Sequence, residues 1–127
     1  MITILTVDDS RSLREILGNI LKSAGYAVVE AEDGIAGLEL AQKQVFDLVL
    51  TDQNMPGMDG LMLIENLRTL PDYESTPILM LTSVTDNDMK QRGRAAGATG
   101  WMIKPIDPER LLLVLDGVIK RSLAKIQ

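Results

Sequence analysis

The chain is predicted to fold as an α/β domain with a five-stranded, doubly wound parallel sheet. Short apolar runs rich in β-branched residues alternate along its 127 residues with segments of helical periodicity. Strict strand–helix alternation is typical of parallel sheets with right-handed crossovers and helices on both faces. No linker, repeat or low-complexity stretch interrupts the pattern. We therefore expect a single domain over residues 1–124, followed by a short tail at 125–127.

Five runs are predicted to be strands because they combine apolar and β-branched residues with turn residues at their ends. They are Ile2–Val7, Tyr26–Glu30, Asp47–Thr51, Pro77–Leu81 and Thr99–Ile103. The third and fourth runs are almost continuously apolar. Such strands are expected at central positions, where helices cover both faces of the sheet.

Five helices are predicted after these strands, at about 13–24, 35–44, 61–70, 86–96 and 107–123. The first has apolar residues at helical spacing and stops at Gly25, and the third is closed by Pro71. Gly97 is expected to stop the fourth. The fifth begins at Asp107-Pro108, a capping residue followed by proline at the first helical position.

The composition excludes several functional classes. A net charge of −5 argues against a nucleic-acid partner, which would require a basic stripe. Because the chain has no histidine, it cannot perform Ser-His-Asp or Cys-His catalysis, and any phosphohistidine must come from another protein. The absence of cysteine fits an intracellular address. No run approaches the ~18 apolar residues of a membrane span, so we expect a soluble, cytoplasmic domain without membrane insertion.

Four of the apolar runs end on chemically reactive side chains. Asp8 and Asp9 follow the first strand, Asp52 the third, Thr82 the fourth and Lys104 the fifth. Ligands of open α/β sheets bind beyond the carboxyl ends of the strands. A parallel sheet would therefore gather three carboxylates, a hydroxyl and an ammonium group at its functional edge.

Three carboxylates at one edge would repel one another. A like-charge pair ~4 Å apart costs about 4 kcal/mol at an effective dielectric constant of 20. A divalent cation is the expected compensation, and Mg²⁺ suits the site because it prefers oxygen ligands and retains waters that a phosphoryl oxygen can replace. With Lys104 and Thr82 as donors to phosphoryl oxygens, this set suits formation of an aspartyl phosphate.

Four motifs follow one another between about Ile2 and Lys120: Asp8-Asp9, the segment TDQNMPGMDG at 51–60, Leu81-Thr82-Ser83 and Lys104-Pro105. Together they resemble the receiver domains of two-component response regulators, and most of all the stand-alone, CheY-like chemotaxis type. The resemblance implies a flavodoxin-like (βα)5 fold with strand order 2-1-3-4-5. It also implies a switch that is phosphorylated by the phosphohistidine of a partner kinase and then controls an output protein.

The resemblance implies how the acidic residues act. Asp52 would be the phosphoacceptor. Asp9 and Asp52 would bind Mg²⁺, or Mn²⁺ in its place, together with the main-chain carbonyl of Asn54, while Asp8 would assist largely through water. The chain would be a phosphoacceptor that assists its own phosphorylation and dephosphorylation, and not an enzyme.

The resemblance also implies the roles of the remaining site residues. Thr82 and Lys104 would contact the phosphoryl oxygens, and Thr82 would move as part of the switch. The Lys104-Pro105 bond is predicted to be cis, as is common in receivers. The second switch position, three residues before the lysine, usually holds Tyr, Phe or His, whereas this chain has Trp101, a larger side chain that can only donate a hydrogen bond.

The expected output surface lies on the fourth helix, the fifth strand and the fifth helix. The apolar run Leu111–Leu115 is too long for every member to face the sheet. If Leu111, Leu115 and Val118 are core residues, Leu113 or Val114 lies toward a flank or solvent. The expected partners are a sensor histidine kinase or its phosphotransfer domain, an output protein and a phosphatase, with the chain itself a monomer or weak homodimer.

The sequence has four other interpretations. A flavodoxin-like FMN binder would share the fold, but Asp8-Asp9 would repel its phosphate and aromatic content is only 3%. An aspartyl-phosphate phosphatase of the haloacid dehalogenase type expects two aspartates separated by one residue, a pattern missing after the first strand. A nucleotide-hydrolysing switch would need a G-x-x-x-x-G-K loop, which the sequence lacks. A receiver cut from a longer regulator remains an alternative.

Overall fold

The computed structural model describes residues 1–84 and 86–126, and its five parallel strands form one sheet. The strands are β1 (Thr3–Val7), β2 (Ala27–Ala31), β3 (Leu48–Asp52), β4 (Ile78–Thr82) and β5 (Gly100–Ile103). Their order in the sheet is β2-β1-β3-β4-β5. The expected fold class and strand order are confirmed, and each strand begins and ends within one residue of its predicted limits.

Five α-helices connect and follow the strands. They are α1 (Arg11–Ser23), α2 (Gly34–Lys43), α3 (Gly60–Arg68), α4 (Asn87–Ala96) and α5 (Pro108–Ile126). Four of them begin at side chains that accept a hydrogen bond from the third residue of the helix: Ser10, Asp33, Asp59 and Asp86. These caps satisfy N–H groups that a helix leaves free at its start. They therefore define where the loops at the carboxyl edge of the sheet end.

The sheet separates two apolar cores. On one face, alternate strand residues such as Val7 and Val49 pack against α2, α3 and α4. On the other face, residues such as Ile4 and Leu50 pack against α1 and α5. This arrangement follows from the period of two along a strand, which sends successive side chains to opposite faces.

The predicted division of the apolar run in α5 is confirmed. Leu111, Leu115 and Val118 are buried against the sheet, whereas Leu113 is 74% exposed and Val114 is half-buried. Consecutive residues on a helix point about 100° apart, so an uninterrupted apolar run must place some members outside the core.

Two helices end more than one residue away from their predicted carboxyl ends. α3 ends at Arg68 because Pro71 follows, and Leu70 is extended as expected before a proline. A short 3₁₀ helix, Pro71–Tyr73, comes next and was not predicted. α5 continues to Ile126, past the predicted end near Leu123, because no glycine or proline follows Gly117. The expected tail is thus helical as far as Ile126, and Gln127 lies outside the described residues.

None of the helices in the described ranges has the length and apolar character needed to cross a bilayer.

Candidate functional site

Asp8, Asp9 and Asp52 lie together at the carboxyl edge of the sheet. β1 and β3 are neighbours in register, with Val7 opposite Thr51, so the residues that follow them emerge side by side. Each of the three side chains offers a carboxylate oxygen, and these oxygens lie within 4.8 Å of one another. Asp8 and Asp52 are buried and Asp9 is exposed. The structure therefore forms the acidic cluster that the sequence predicted.

Lys104 reaches this cluster from the end of β5. Its Nζ donates a hydrogen bond to Asp52 Oδ1 at 2.6 Å and lies 4.0 Å from Asp8 Oδ2. The Lys104-Pro105 peptide bond is cis, as predicted. One ammonium group thus faces three carboxylates, so the cluster keeps an excess of negative charge.

Asp8 shows this excess most clearly. Its Oδ1 accepts a hydrogen bond from the Ser10 N–H at 2.8 Å, while its Oδ2 is buried without a hydrogen-bond partner. Burial raises the pKa of Asp8 above its ordinary value, and the nearby charge of Asp52 adds to the shift. The hydrogen bond from Ser10 and the charge of Lys104 oppose it. A buried, unpartnered carboxylate oxygen among other carboxylates fits a hard cation with oxygen ligands, such as Mg²⁺.

Thr82 ends β4, beside the strand that carries Asp52. Asp52 lies opposite Leu81 in the sheet, so Thr82 is one residue further along, and it is buried. Its Oγ1 accepts a hydrogen bond from the Val84 N–H at 3.1 Å, and its neighbour Ser83 is exposed. The hydroxyl thus holds the loop that leads to α4 and lies at the same edge as the acidic cluster.

Trp101 lies on β5, three residues before Lys104. It is half-buried and packs against the core on the side of α2, α3 and α4. The Arg94 guanidinium carbon is 5.8 Å from the centroid of the Trp101 ring, within range of a cation–π contact. The indole therefore connects α4 with β5 on the predicted output surface.

The loop from Asp52 to α3 is attached to the first turn of that helix. Gln53, which is buried, accepts a hydrogen bond from the Leu61 N–H through its side-chain Oε1 and another from the Gly60 N–H through its main-chain oxygen. Asn54 follows in the exposed part of the loop, two residues beyond Asp52. These bonds hold the start of the segment in which Asp52 and Asn54 lie.

Sequence reasoning missed two residues that support the site. One is Gln53, whose buried amide caps α3 as described. The other is Arg14 of α1, whose Nη1 donates to the main-chain oxygen of Asp8 at 2.7 Å. An arginine in the first turn of a helix, like its neighbour Arg11, resembles a solvated residue, and only its position soon after the Asp8-Asp9 pair could have indicated this contact.

The model of the response regulator receiver domain family matches residues 4–116 of the chain. The chain belongs to the response regulator receiver family. This receiver is 36% identical over 119 residues to the chemotaxis protein CheY-3 of Vibrio cholerae, covering 93% of this chain and 92% of that protein. It is 33% identical to the chemotaxis protein CheY of Pseudomonas aeruginosa, with 93% and 96% coverage.

Solved structures agree with this assignment. The structure of the chemotaxis protein CheY4 of Vibrio cholerae superposes on the receiver with a TM-score of 0.90 at 47% identity, covering 93% of this chain and 98% of that one. The receiver is therefore a CheY-like phosphoacceptor signalling switch. Receiver domains bind Mg²⁺ at an acidic pocket and interact with histidine kinases and output proteins. Membership of this family sets aside the FMN-binding and dehalogenase-type interpretations.

Proposed function

We propose that Asp52 is the residue that accepts the phosphoryl group, in a Mg²⁺-dependent transfer from the phosphohistidine of a partner kinase. The observation that carries the proposal is the position of Asp52, buried beside two other carboxylates with the Lys104 ammonium 2.6 Å from its Oδ1. Of the three carboxylates, Asp52 is the one that accepts a hydrogen bond from Lys104, so a phosphoryl group formed on it has a cation within reach. Catalysis at such a site consists mainly of positioning and electrostatic stabilisation.

In the proposed transfer, an Asp52 carboxylate oxygen attacks the phosphorus atom of the phosphohistidine. A phosphorus–oxygen bond forms, the phosphorus–nitrogen bond breaks, and its electron pair returns to the imidazole of the kinase. Because the chain contains no histidine, the donor must be another protein or a small acyl phosphate. The Lys104 ammonium gives up its hydrogen bond to Asp52 Oδ1 and donates to a phosphoryl oxygen instead. The Thr82 hydroxyl donates a hydrogen bond to another phosphoryl oxygen.

Asp8, Asp9 and Asp52 would hold the cation together with the main-chain carbonyl of Asn54, with Asp8 acting largely through water and with Mn²⁺ able to replace Mg²⁺. When bound, the cation neutralises charge that develops on the phosphoryl oxygens. The unpartnered Oδ2 of Asp8 supports this assignment, because a cation or its water would satisfy it. Asn54 is included because it lies two residues after Asp52, in the loop that Gln53 attaches to α3.

The transferred group would then change the α4–β5–α5 face. A phosphoryl group adds roughly −1.5 to −2 charges at neutral pH, so Thr82 is drawn toward it and gives up the Val84 N–H. α4 is suited to respond, because its fully buried residues are only Gly93 and Ala96. Its carboxyl end is held by Arg68, whose Nε donates to Gly97 O at 2.9 Å. We therefore expect the amino-terminal end of α4 to shift most.

The output partner would bind a groove of about 610 Å³ between α4, β5 and α5. Trp101 and Ile103 supply apolar surface there, and two cations, Lys90 and Arg110, line it together with one carboxylate, Asp107. The relatives named for chemotaxis support a chemotactic output for this receiver.

A phosphatase would be a further partner, and the receiver would act as a monomer or weak homodimer. We place it in the cytoplasm, because a chain without cysteine fits a reducing compartment.

The test is incubation with acetyl phosphate and Mg²⁺, followed by intact mass spectrometry. We expect one added phosphoryl group on the wild type and none on Asp52→Asn or in the presence of excess chelator. Asp9→Asn, which keeps the acceptor and removes a proposed metal ligand, should be labelled only at higher Mg²⁺ concentration. Labelling that persists in Asp52→Asn would show that the acceptor is another residue. Steady turnover of p-nitrophenyl phosphate would contradict the proposal that the receiver is not an enzyme.

A further inference from the structure

A largely buried arginine lies behind the acidic cluster. Arg14, in the first turn of α1, donates from Nη1 to the main-chain oxygen of Asp8 at 2.7 Å. Its side chain is only 16% exposed, and its Nε lies 3.9 Å from Glu30 Oε1 on β2. One guanidinium group therefore connects α1, the end of β1 and the neighbouring strand β2.

The oxygen that Arg14 binds belongs to the peptide unit between Asp8 and Asp9. On its other side, the Asp8 N–H donates to Ala31 O at 3.1 Å. The two bonds together fix the main chain on both sides of the Asp8 α-carbon, and the second sets the orientation of the peptide plane that leads to Asp9. Because both carboxylates project from this short segment, its orientation decides whether they can bind one cation together.

The charge of Arg14 and its hydrogen bond have opposite effects on a bound cation. As a positive charge near the cluster, the guanidinium repels a divalent cation and lowers its affinity. As a donor to the Asp8–Asp9 peptide, it keeps the carboxylates oriented and raises the affinity. Groups that orient metal ligands typically contribute about 10–100-fold to metal affinity. The direction of the change in affinity therefore distinguishes the two roles.

We propose that Arg14 is a positioning residue for the magnesium site, acting through its hydrogen bond to the Asp8–Asp9 peptide. The Glu30 carboxylate, 3.9 Å from Nε, attracts the guanidinium on its other side without a hydrogen bond. The inference rests on the proposed function, in which Asp8 and Asp9 hold Mg²⁺. It adds a residue that touches neither the cation nor the phosphoryl group.

The experiment measures Mg²⁺ binding by the full chain, using isothermal titration calorimetry, which needs no reporter group near the site. Arg14→Met removes the donor and keeps an unbranched apolar side chain. Arg11→Met is the matched control, because Arg11 lies on the same helix, is 85% exposed and contacts only Glu15 among the hydrogen bonds of the described residues. We expect the Kd for Mg²⁺ to rise about tenfold in Arg14→Met and to stay unchanged in Arg11→Met.

A second measurement separates positioning from a general loss of structure. With acetyl phosphate as donor, Arg14→Met should need about tenfold more Mg²⁺ for half-maximal phosphorylation but reach the wild-type rate at saturation, because Asp52, Thr82 and Lys104 are unaltered. Arg14→Lys keeps one charged donor without the planar guanidinium, so its Kd should lie between those of the wild type and Arg14→Met.

Tighter or unchanged Mg²⁺ binding in folded Arg14→Met would overturn the inference, since tighter binding is the result of charge alone. Should circular dichroism show that Arg14→Met is unfolded, the comparison of Arg14→Lys with the wild type decides instead, and a Kd equal to or below that of the wild type refutes the role. Failure of the wild type to bind Mg²⁺ would instead overturn the proposed function, and the inference with it.

Discussion

At the scale of single residues, the buried charge of Asp8 lowers the stability of the fold. Its carboxylate is buried near two others, and one of its oxygens has no hydrogen-bond partner. A buried unsatisfied polar atom costs about 1–3 kcal/mol, and like-charge repulsion adds to that cost. A neutral side chain of the same shape would remove much of this cost, which is why the charge of Asp8 supports the proposed cation site.

Asp8→Asn should therefore be more stable than the wild type in chelator, by about 1–2 kcal/mol in the free energy of unfolding. In saturating Mg²⁺ this advantage should shrink, because the wild type gains about 2.7 kcal/mol at a hundredfold excess of Mg²⁺ over its Kd and the variant gains less. Urea unfolding at pH 7 with and without Mg²⁺ measures both effects. Asp9→Asn is the matched control, since exposed Asp9 should gain little in chelator. A loss of stability in Asp8→Asn without Mg²⁺ would contradict the argument.

The sequence was sufficient to predict that three aspartates and Lys104 come together at one edge of the sheet, but not the contacts that support them. Asp52 and Lys104 stand at the ends of apolar runs, and alternation of strands and helices is enough to place those ends at one edge. The bonds of Arg14 and Gln53 depend on side-chain conformations and on how closely α1 and α3 approach the sheet. No period or motif in the sequence encodes those distances.

At the scale of elements, α3 begins unusually close to the strand that carries Asp52. A Cβ atom on Gly60, the first residue of α3, would lie 2.5 Å from Asp52 O and 2.9 Å from the Cα of Gln53. Both of these are main-chain atoms, which cannot rotate away as a side chain could. Glycine at this position is therefore required by the close approach of two backbones.

Gly60→Ala should destabilise the fold by about 1–3 kcal/mol and slow phosphorylation, because the backbone of Asp52 has to move. Gly117→Ala in α5 is the matched control, since nothing lies within 4 Å of the position its Cβ would take. That variant should be about 0.5–1 kcal/mol more stable than the wild type, through the higher helix propensity of alanine. Urea unfolding and the rate of labelling by acetyl phosphate test both. Equal stability of Gly60→Ala and the wild type would show that the backbone between β3 and α3 moves aside at little cost in free energy.

The limits of the elements show which local signals are reliable. α4 ends as predicted at Gly97, whose φ of 107° is in the left-handed region that favours glycine. α3 stops at Arg68, before the predicted end, because the influence of Pro71 extends to the residue before it. α5 runs on because the sequence contains no stop signal after Gly117. The predicted ends are within two residues where glycine or proline follows the helix, and the predicted end of α5, which neither follows, is three residues early.

At the scale of the whole molecule, the strand order connects the acidic cluster with a distant surface. β4 lies between β3, which carries Asp52, and β5, which carries Trp101. Thr82 stands at the end of this intervening strand and bonds to the loop that enters α4. A phosphoryl group on Asp52 would thus act on the α4–β5–α5 face through the Thr82 hydroxyl.

Thr82→Val should separate phosphorylation from this switching. Valine has nearly the same shape as threonine but lacks the hydroxyl that the phosphoryl group would attract, so the variant should still be phosphorylated at Asp52. It should not transmit the change to α4 and β5. Intact mass spectrometry measures the first property, and the fluorescence of Trp101 measures the second, because this single tryptophan contacts Arg94 of α4.

In the wild type, acetyl phosphate added to Mg²⁺-saturated protein should change the Trp101 fluorescence, and this change should be absent in Asp52→Asn. In Thr82→Val, a labelled mass with little change in fluorescence is the expected result. Ser83→Ala is the matched control, because Ser83 is exposed beside Thr82 and should leave both signals intact. A full fluorescence change in labelled Thr82→Val would mean that the signal reaches α4 without the hydroxyl. The signal would then have to pass through Lys104, at the end of β5 beside Asp52.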